Sequence, residues 1–222
     1  MEESARLSLG LIVNLQFMPE ARKVVALGAH PDDLELGCGA TLAKLAARGV
    51  EVTAVILSDG GRGADPNTDR AAETREALAS LGVQKVVQHS FPDTRLHEHL
   101  NDLIATIEEH VRDIVPDRVY TMFDGDRHQD HRAVYQASTV ACRPVRQILG
   151  YETPSSYPNF IPTLFEPVDD FIEQKIAALK LHTSQGSRLY MHEDKVRSAA
   201  HFRGVQIDLG QTEGFIPYKL VL

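Results

Sequence analysis

Two short clusters of ionisable residues carry the chemistry this chain can do: Ala29-His30-Pro31-Asp32-Asp33 and His128-Gln129-Asp130-His131. Zinc accepts imidazole nitrogen and carboxylate oxygen, and a catalytic zinc site uses three protein ligands with one position left for water. His30 and Asp33 stand three apart across a tight turn containing Pro31, so both side chains can converge on one ion. Asp32, between them, can point at the bound water instead. His128 and His131 are also three apart and share a face if a helix begins there. One of them can complete the metal site while the other sits over the reacting carbon. Asp130 can accept an imidazole N–H and fix a tautomer. Each cluster alone has a plainer reading. His-x-x-His is commonly a surface or capping arrangement, and Asp-Asp after a strand is commonly a helix N-cap or a magnesium site.

The elements that must position these residues alternate along the first two-thirds of the chain. Val24–His30, Glu51–Ser58, Lys85–Phe91, Arg118–Phe123 and Gln147–Tyr151 read as short apolar or β-branched strands. Leu36–Arg48, Asp69–Leu81, His99–Val115 and Asp130–Cys142 read as helices, with Gly49, Gly82 and Pro116 as stop signals. The pattern predicts an α/β fold: a Rossmann-like, mostly parallel sheet flanked by helices in three α/β/α layers, forming a single domain. Residues 153–168 read as an ordered loop, Val168–His182 and Tyr190–Arg203 as two more helices, and Phe215–Leu222 as a strand or docking tail. In such sheets ligands bind at the carboxyl ends of the strands. The two clusters fall there, after strands one and four, which can be neighbours in a doubly wound order. Residues 1–20 are expected to form an N-terminal arm or extra strand, with Met18 an alternative start, and 21–222 the folded domain.

Composition narrows the class. The 222 residues carry 23 Lys and Arg against 31 Asp and Glu, a formal charge of −8, which argues against a nucleic-acid partner. The apolar run Leu7–Phe17 is too short to span a membrane and lacks the basic flank and cleavage site of a signal peptide. Two cysteines, Cys38 and Cys142, are too few for a disulfide framework, and a reduced, cytoplasmic setting is the default. No G-x-G-x-x-G follows the first strand, which speaks against a dinucleotide-binding module.

The stretch Ala29-His30-Pro31-Asp32-Asp33-Leu34-Glu35-Leu36-Gly37-Cys38-Gly39, with His128-Gln129-Asp130-His131, resembles the PIG-L/LmbE-like zinc de-N-acetylases. Further matching pieces are Ser58-Asp59-Gly60, Arg70 with Glu73, Pro92-Asp93, His182 with Ser184-Gln185, and Glu213 with Phe215; together they span roughly residues 22 to 215. The resemblance implies one zinc per chain held by His30, Asp33 and His131, with Asp32 as general base. It implies that His128, as imidazolium, stabilises the oxyanion or protonates the leaving amine, and that Arg70 and Asp93 hold substrate. Arg127 is a further candidate for the oxyanion or a phosphate, its other reading being a salt bridge with Asp124 or Asp126. The implied substrate is a small-molecule amino-sugar conjugate losing its N-acetyl group. The alternative is a zinc amidase acting on a non-sugar amide or a thiol-sugar conjugate. A homo-oligomer is also implied.

One departure stands out. Where relatives often carry Tyr-Ala-Glu-Ala-Phe, this chain has Gln211-Thr212-Glu213-Gly214-Phe215, so Gln211 replaces a tyrosine that could face the oxyanion. His89, His97, His99 and His110 have no matching partners and are expected to be structural or exposed. His182 with Gln185 is expected to fix the C-terminal helices. The Gly- and Asp-rich stretch Gly60–Asp69 is expected to act as a mobile lid.

Overall fold

The computed structural model describes residues 21–63, 65 and 68–221; the expected N-terminal arm, 1–20, lies outside them. Four central strands are β1 (Lys23–Gly28), β2 (Glu51–Ser58), β4 (Arg118–Met122) and β5 (Gln147–Tyr151). They are buried along nearly their whole length. That burial explains why they read as continuous apolar runs, since a parallel sheet covered on both faces has no solvent side to alternate with. β3 (Lys85–Phe91) is only half-buried.

The sheet order is β3-β2-β1-β4-β5-β7-β6. The first five strands are parallel. β7 (Thr212–Leu220) and β6 (Leu164–Pro167) are added antiparallel at the far side. The strand-or-tail expected at the C-terminus is thus a strand, whereas the loop expected over 153–168 contains β6. β6 is only four residues long and pairs solely with β7, so no local pattern marks it.

α3 (Leu100–Ile114) packs on α4 (Gln129–Ala141), while α1 (Asp33–Ala47) and α2 (Arg70–Ser80) pack with α5 (Ile172–Leu181). α6 (Glu193–Val205) follows and contacts β7. In α3 the buried residues Leu103, Ile107 and Val111 recur every fourth position. Burying each such side chain contributes about 1.5–3 kcal/mol. α1 closes at Gly49, whose φ of 78° is a left-handed stop.

β1 pairs with β2 on one side and β4 on the other, Val24 lying opposite both Val52 and Arg118. The chain runs outward from β1 to β3 and then returns across it to β4. This reversal opens a crevice at the carboxyl ends of β1 and β4.

α1 is broken at Cys38, whose φ of −143° is not helical. Three of the backbone groups beside the break find side-chain partners. Glu213 accepts from the backbone N–H of Ala40 (3.2 Å) and Thr41 (2.7 Å), while Lys175 donates to Leu36 O at 2.7 Å and to Glu213 at 2.6 Å. A buried ion pair therefore plugs the break, capping one half-helix at its N-terminus and the other at its C-terminus. Next to the break, Gly37 lies under the ring of Tyr151, where a Cβ would collide. Tyr151 is held there by donating to Leu27 O at 2.7 Å.

Candidate active site

A cavity of about 400 Å³ opens over the carboxyl ends of β1 and β4. His30, Asp32, Asp33, Arg70, Asp93, Arg127, His128 and His131 all line it, so the structure brings together every predicted site residue except Asp130. Asp130 is fully buried behind the wall.

The turn after β1 sets the first cluster. Asp32 precedes α1 with φ 106°, ψ −21°, a left-handed conformation that costs a non-glycine residue of order 1–3 kcal/mol and is kept at functional sites. It aims a carboxylate that is only 6% exposed into the pocket. Burial, reinforced by the neighbouring Asp33 charge, raises its pKa to about 7 against the opposing pull of Arg70. Arg70 clamps this turn: its terminal nitrogens reach Asp32 Oδ2 (3.3 Å), Pro31 O (2.5 Å) and Gly60 O (2.9 Å). Arg70, expected to hold substrate, lines the cavity and bonds with its terminal nitrogens to the loops after β1 and β2.

Asp33 sits between two imidazoles. Its Oδ2 is 3.4 Å from His30 Nδ1, and its Oδ1 is 3.2 Å from His131 Nε2. Each ring is held from behind by other carboxylates. His30 Nε2 lies 3.1 Å from Asp130 and 3.3 Å from Asp93. His131 Nδ1 lies 3.0 Å from Asp126. An imidazole that donates its one N–H backwards presents a bare nitrogen forwards. Both bare nitrogens then face carboxylate oxygens, acceptor against acceptor, and such an arrangement is satisfied by a cation in between. Without one, protons must serve. Burial alone would lower both histidines, but hydrogen bonds donated by the His30 ring to Asp130, Asp33 and Asp93 raise His30. The charge of Asp33 and the hydrogen bond to Asp126 raise His131 to about 9. The imidazole nitrogens and carboxylate oxygens gathered here are of the types a divalent metal ion accepts. Donor atoms of His30, His128 and His131 also lie within 4.8 Å of one another, as do those of His30, Asp93 and Asp130. The second trio is His30 with the carboxylates that orient it.

Asp130 does accept an imidazole N–H, as its position between the histidines suggested, but from His30, a hundred residues away. The backbone N–H groups of Thr94 (2.7 Å) and Leu96 (3.1 Å) fix its carboxylate. Asp126 does the same for His131 and is a residue that sequence reasoning missed. It is fully buried and also takes bonds from His128 N, Ser155 Oγ and Thr153 Oγ1. Burial opposes its charge, yet the His131 hydrogen bond wins and lowers it to about 2. Its place two residues before a histidine that starts a helix was the available signal.

His128 caps α4, its Nδ1 accepting from Asp130 N at 3.2 Å. That bond needs a lone pair on Nδ1, so the ring is neutral and carries its hydrogen on Nε2. Burial, and then the charges of His30 and His131, lower its pKa. The expected imidazolium is not the form this geometry holds. His128 lies edge-on to His30 (centroids 4.6 Å) and stacks on His131 (4.7 Å).

Asp93 divides its carboxylate between His30 and the backbone N–H of Arg62 (2.8 Å). Arg127 donates to Ser155 O and Pro154 O, not to Asp124 or Asp126, and lines the cavity from there. The expected lid is pinned in its described part: Gly60 O takes Arg70, Gly63 O takes Gln185 Nε2 (3.0 Å), and Arg62 N is held by Asp93. Gln211 does not line the cavity, and its Oε1 is buried without a partner. The tyrosine that does line it is Tyr190, from the segment between α5 and α6. Burial, and then the charge of Asp32, raise its pKa. His182, expected with Gln185 to fix the C-terminal helices, is fully buried and pairs with Glu35 at 2.9 Å, which ties the end of α5 to α1.

Fold and site together define an α/β enzyme with a His/Asp donor set at the switch point of a mostly parallel sheet, able to hold a metal ion. The chain belongs to the PIG-L family, described as GlcNAc-PI de-N-acetylase, whose model matches residues 25–142. It is therefore a deacetylase by class, a hydrolase. It is 51% identical over 167 residues to the uncharacterized deacetylase YaiS of Escherichia coli, covering 72% of this chain and 90% of that protein. Among solved structures it resembles the conserved protein TT1542 from Thermus thermophilus (TM-score 0.81, 26% identity, 90% of this chain and 96% of that one). It also resembles the N,N′-diacetylchitobiose deacetylase from Pyrococcus horikoshii (TM-score 0.72, 27% identity, 89% and 84%). No helix among the described residues is long and apolar enough to cross a membrane.

Proposed function

We propose that this protein is a zinc-dependent hydrolase that removes the N-acetyl group from an N-acetylglucosamine-type conjugate. The observation that carries the reading is the pair of bare imidazole nitrogens, His30 Nδ1 and His131 Nε2, facing the two oxygens of Asp33. The names of the relatives, which include a diacetylchitobiose deacetylase of Thermococcus kodakarensis 29% identical over 195 residues, support an amino-sugar substrate.

His30, Asp33 and His131 would hold the ion, one per chain, which when bound supplies a Lewis acid and a water of lowered pKa. The chain's own groups do the rest. Asp32, held by Arg70 in its left-handed turn, takes a proton from the attacking water. The same carboxyl returns that proton to the departing nitrogen, so acetic acid and a free amine leave, the acid passing its remaining proton to solvent as acetate forms, and Asp32 is restored. The neutral Nε2–H of His128 donates to the carbonyl oxygen as negative charge develops on it. Asp130 and Asp126 orient His30 and His131 and raise their basicity as ligands. Asp93 shares in holding His30, and Arg127 offers a cation at the cavity wall for substrate oxygens.

The test is amine and acetate release from N-acetylglucosamine conjugates by metal-loaded enzyme, by enzyme stripped with chelator, and by stripped enzyme given zinc back. Activity that disappears on stripping and returns with zinc is expected. Equal activity in all three samples would refute metal dependence, and release from none of the sugars would refute the substrate class.

A further inference from the structure

Two pieces of the sequence, Arg70 with Glu73 and His182 with Ser184-Gln185, meet in the fold through Glu73, a residue the proposed chemistry does not use. Arg70 and Glu73 share the first turn of α2. Arg70 bonds to the loops after β1 and β2, the first of which carries Asp32. Glu73 holds a different segment. Its Oε1 accepts from Thr183 Oγ1 (2.7 Å) and from the backbone N–H of Ser184 (2.9 Å), and its Oε2 accepts from Ser184 Oγ (2.6 Å). Burial opposes its charge, yet the Ser184 and Thr183 hydrogen bonds win and lower its pKa. A carboxylate accepting three bonds in its ionised form makes a strong latch.

What the latch holds is a wall of the cavity. The segment is two single 3₁₀ turns, Thr183–Gln185 and Leu189–Met191. Backbone bonds join them, from Arg188 N to Gln185 O (2.9 Å) and from Met191 N to Arg188 O (3.0 Å). Gln185 is buried and donates to Gly63 O, and Met191 is buried in the small apolar cluster between α5 and α6. Between these anchors Arg188 and Tyr190 are exposed, and both line the cavity. No hydrogen bond or ion pair occupies either side chain among the described residues, so both are available to a substrate. One helical turn thus ties down the loop bearing Asp32 through Arg70 and the wall bearing Arg188 and Tyr190 through Glu73. Reaction geometry is sensitive to such spacing, since a displacement of about 1 Å can cost two orders of magnitude in rate.

We infer that Glu73 is a positioning residue: it holds Arg188 and Tyr190 in place as a substrate-binding wall of the cavity and thereby sets substrate affinity. The inference rests on the deacetylase reading for the identity of the substrate.

The test compares the parent with Glu73→Ala, Ser184→Ala, Tyr190→Ala and the double variant Glu73→Ala/Tyr190→Ala. Glu76→Ala, which removes an exposed acid from the same helix, is the control. The probes are N-acetylglucosamine and N,N′-diacetylchitobiose, with binding measured by calorimetry and turnover by amine release. Glu73→Ala is expected to raise Kd and KM about tenfold, the share of one charge-assisted contact, while kcat and zinc content stay unchanged. Ser184→Ala removes one hydroxyl, asks little of the fold, and is expected to move KM the same way by a smaller factor. In the double variant the two losses are expected to combine less than fully, because both disable the same wall. Glu76→Ala is expected to match the parent. An unchanged KM in Glu73→Ala and Ser184→Ala, a fall in kcat or zinc in place of the rise in KM, full additivity with Tyr190→Ala, or no binding of either probe by the parent would each overturn the inference. Binding that weakens in Glu73→Ala with no amine released by any sample would sink the deacetylase reading and leave the positioning role standing.

Discussion

The pocket histidines and the His89–His110 pair both bring imidazole nitrogens close together, but different groups stand behind the rings. His89 on β3 and His110 on α3 meet Nε2 to Nε2 at 2.8 Å, so one N–H satisfies one lone pair and no cation is needed. No carboxylate contact is found for either ring among the described residues; only the more distant charges of Glu109 and Asp113 act on them. Burial, and for His89 also the His110 charge, lower both below the usual imidazole value. In the pocket, Asp130, Asp93 and Asp126 take the rear N–H groups, and the forward nitrogens of His30 and His131 are left facing Asp33. There the titration moves the other way. A close approach of histidines is therefore not enough to make a candidate cation site; carboxylates that fix the tautomer from behind are what leave the forward nitrogens bare.

The comparison can be broken at its strongest point first. Asp33→Ala is expected to take metal content from about one ion per chain to near zero, with turnover lost; elemental analysis showing retained zinc would end the assignment. Asp32→Asn is expected to keep the ion yet lower kcat by roughly 10²–10⁴-fold, the usual share of a general base. Full activity in that variant would remove Asp32 from the chemistry. A smaller step separates ligands from the groups behind them. Asp126→Asn and Asp130→Asn are each expected to weaken metal binding or activity by about 10–100-fold, read from competition with a zinc chelator. At the bottom of the scale, His89→Gln/His110→Gln should leave metal content and turnover unchanged.

That last variant carries a pH signature of its own. Both rings titrate lower in the fold than in the free chain, so the unfolded state takes up protons first as pH falls below about 6.5. The pair's stabilising contribution is present above that value and fades as pH drops through the folded values. Melting temperatures followed from about pH 7 to pH 5 should therefore fall less steeply in the double variant than in the parent. Identical slopes would mean that the two rings are not coupled to folding.

Much of this site is legible locally. His30, Asp32 and Asp33 fall in one turn, and His128, Asp130 and His131 in one helical turn, so spacing alone puts each set in reach of a common point. The alternation of apolar strands and helices, with stops at Gly49, Gly82 and Pro116, gives the parallel half of the sheet because each of those elements is a local pattern. The antiparallel edge is not legible in the same way. β6 takes its register from β7, nearly fifty residues away, and Glu213 has a purpose only because α1 breaks at Cys38 beneath it.

The sequence by itself determined the donor types, their two clusters and the α/β scaffold that carries them to the strand ends. Only the tertiary structure decided which ring each carboxylate serves. That choice depends on β1 lying beside β4 and on the backbone amides of Thr94 and Leu96 aiming Asp130 across a gap of a hundred residues at His30. It likewise decided that His128 presents Nε2 rather than Nδ1 to the cavity, because the helix N-terminus occupies its Nδ1, and that Tyr190 is the tyrosine lining the cavity among the described residues. Spacing along the chain fixes which groups can meet; charge, tautomer and orientation belong to the neighbours that folding supplies.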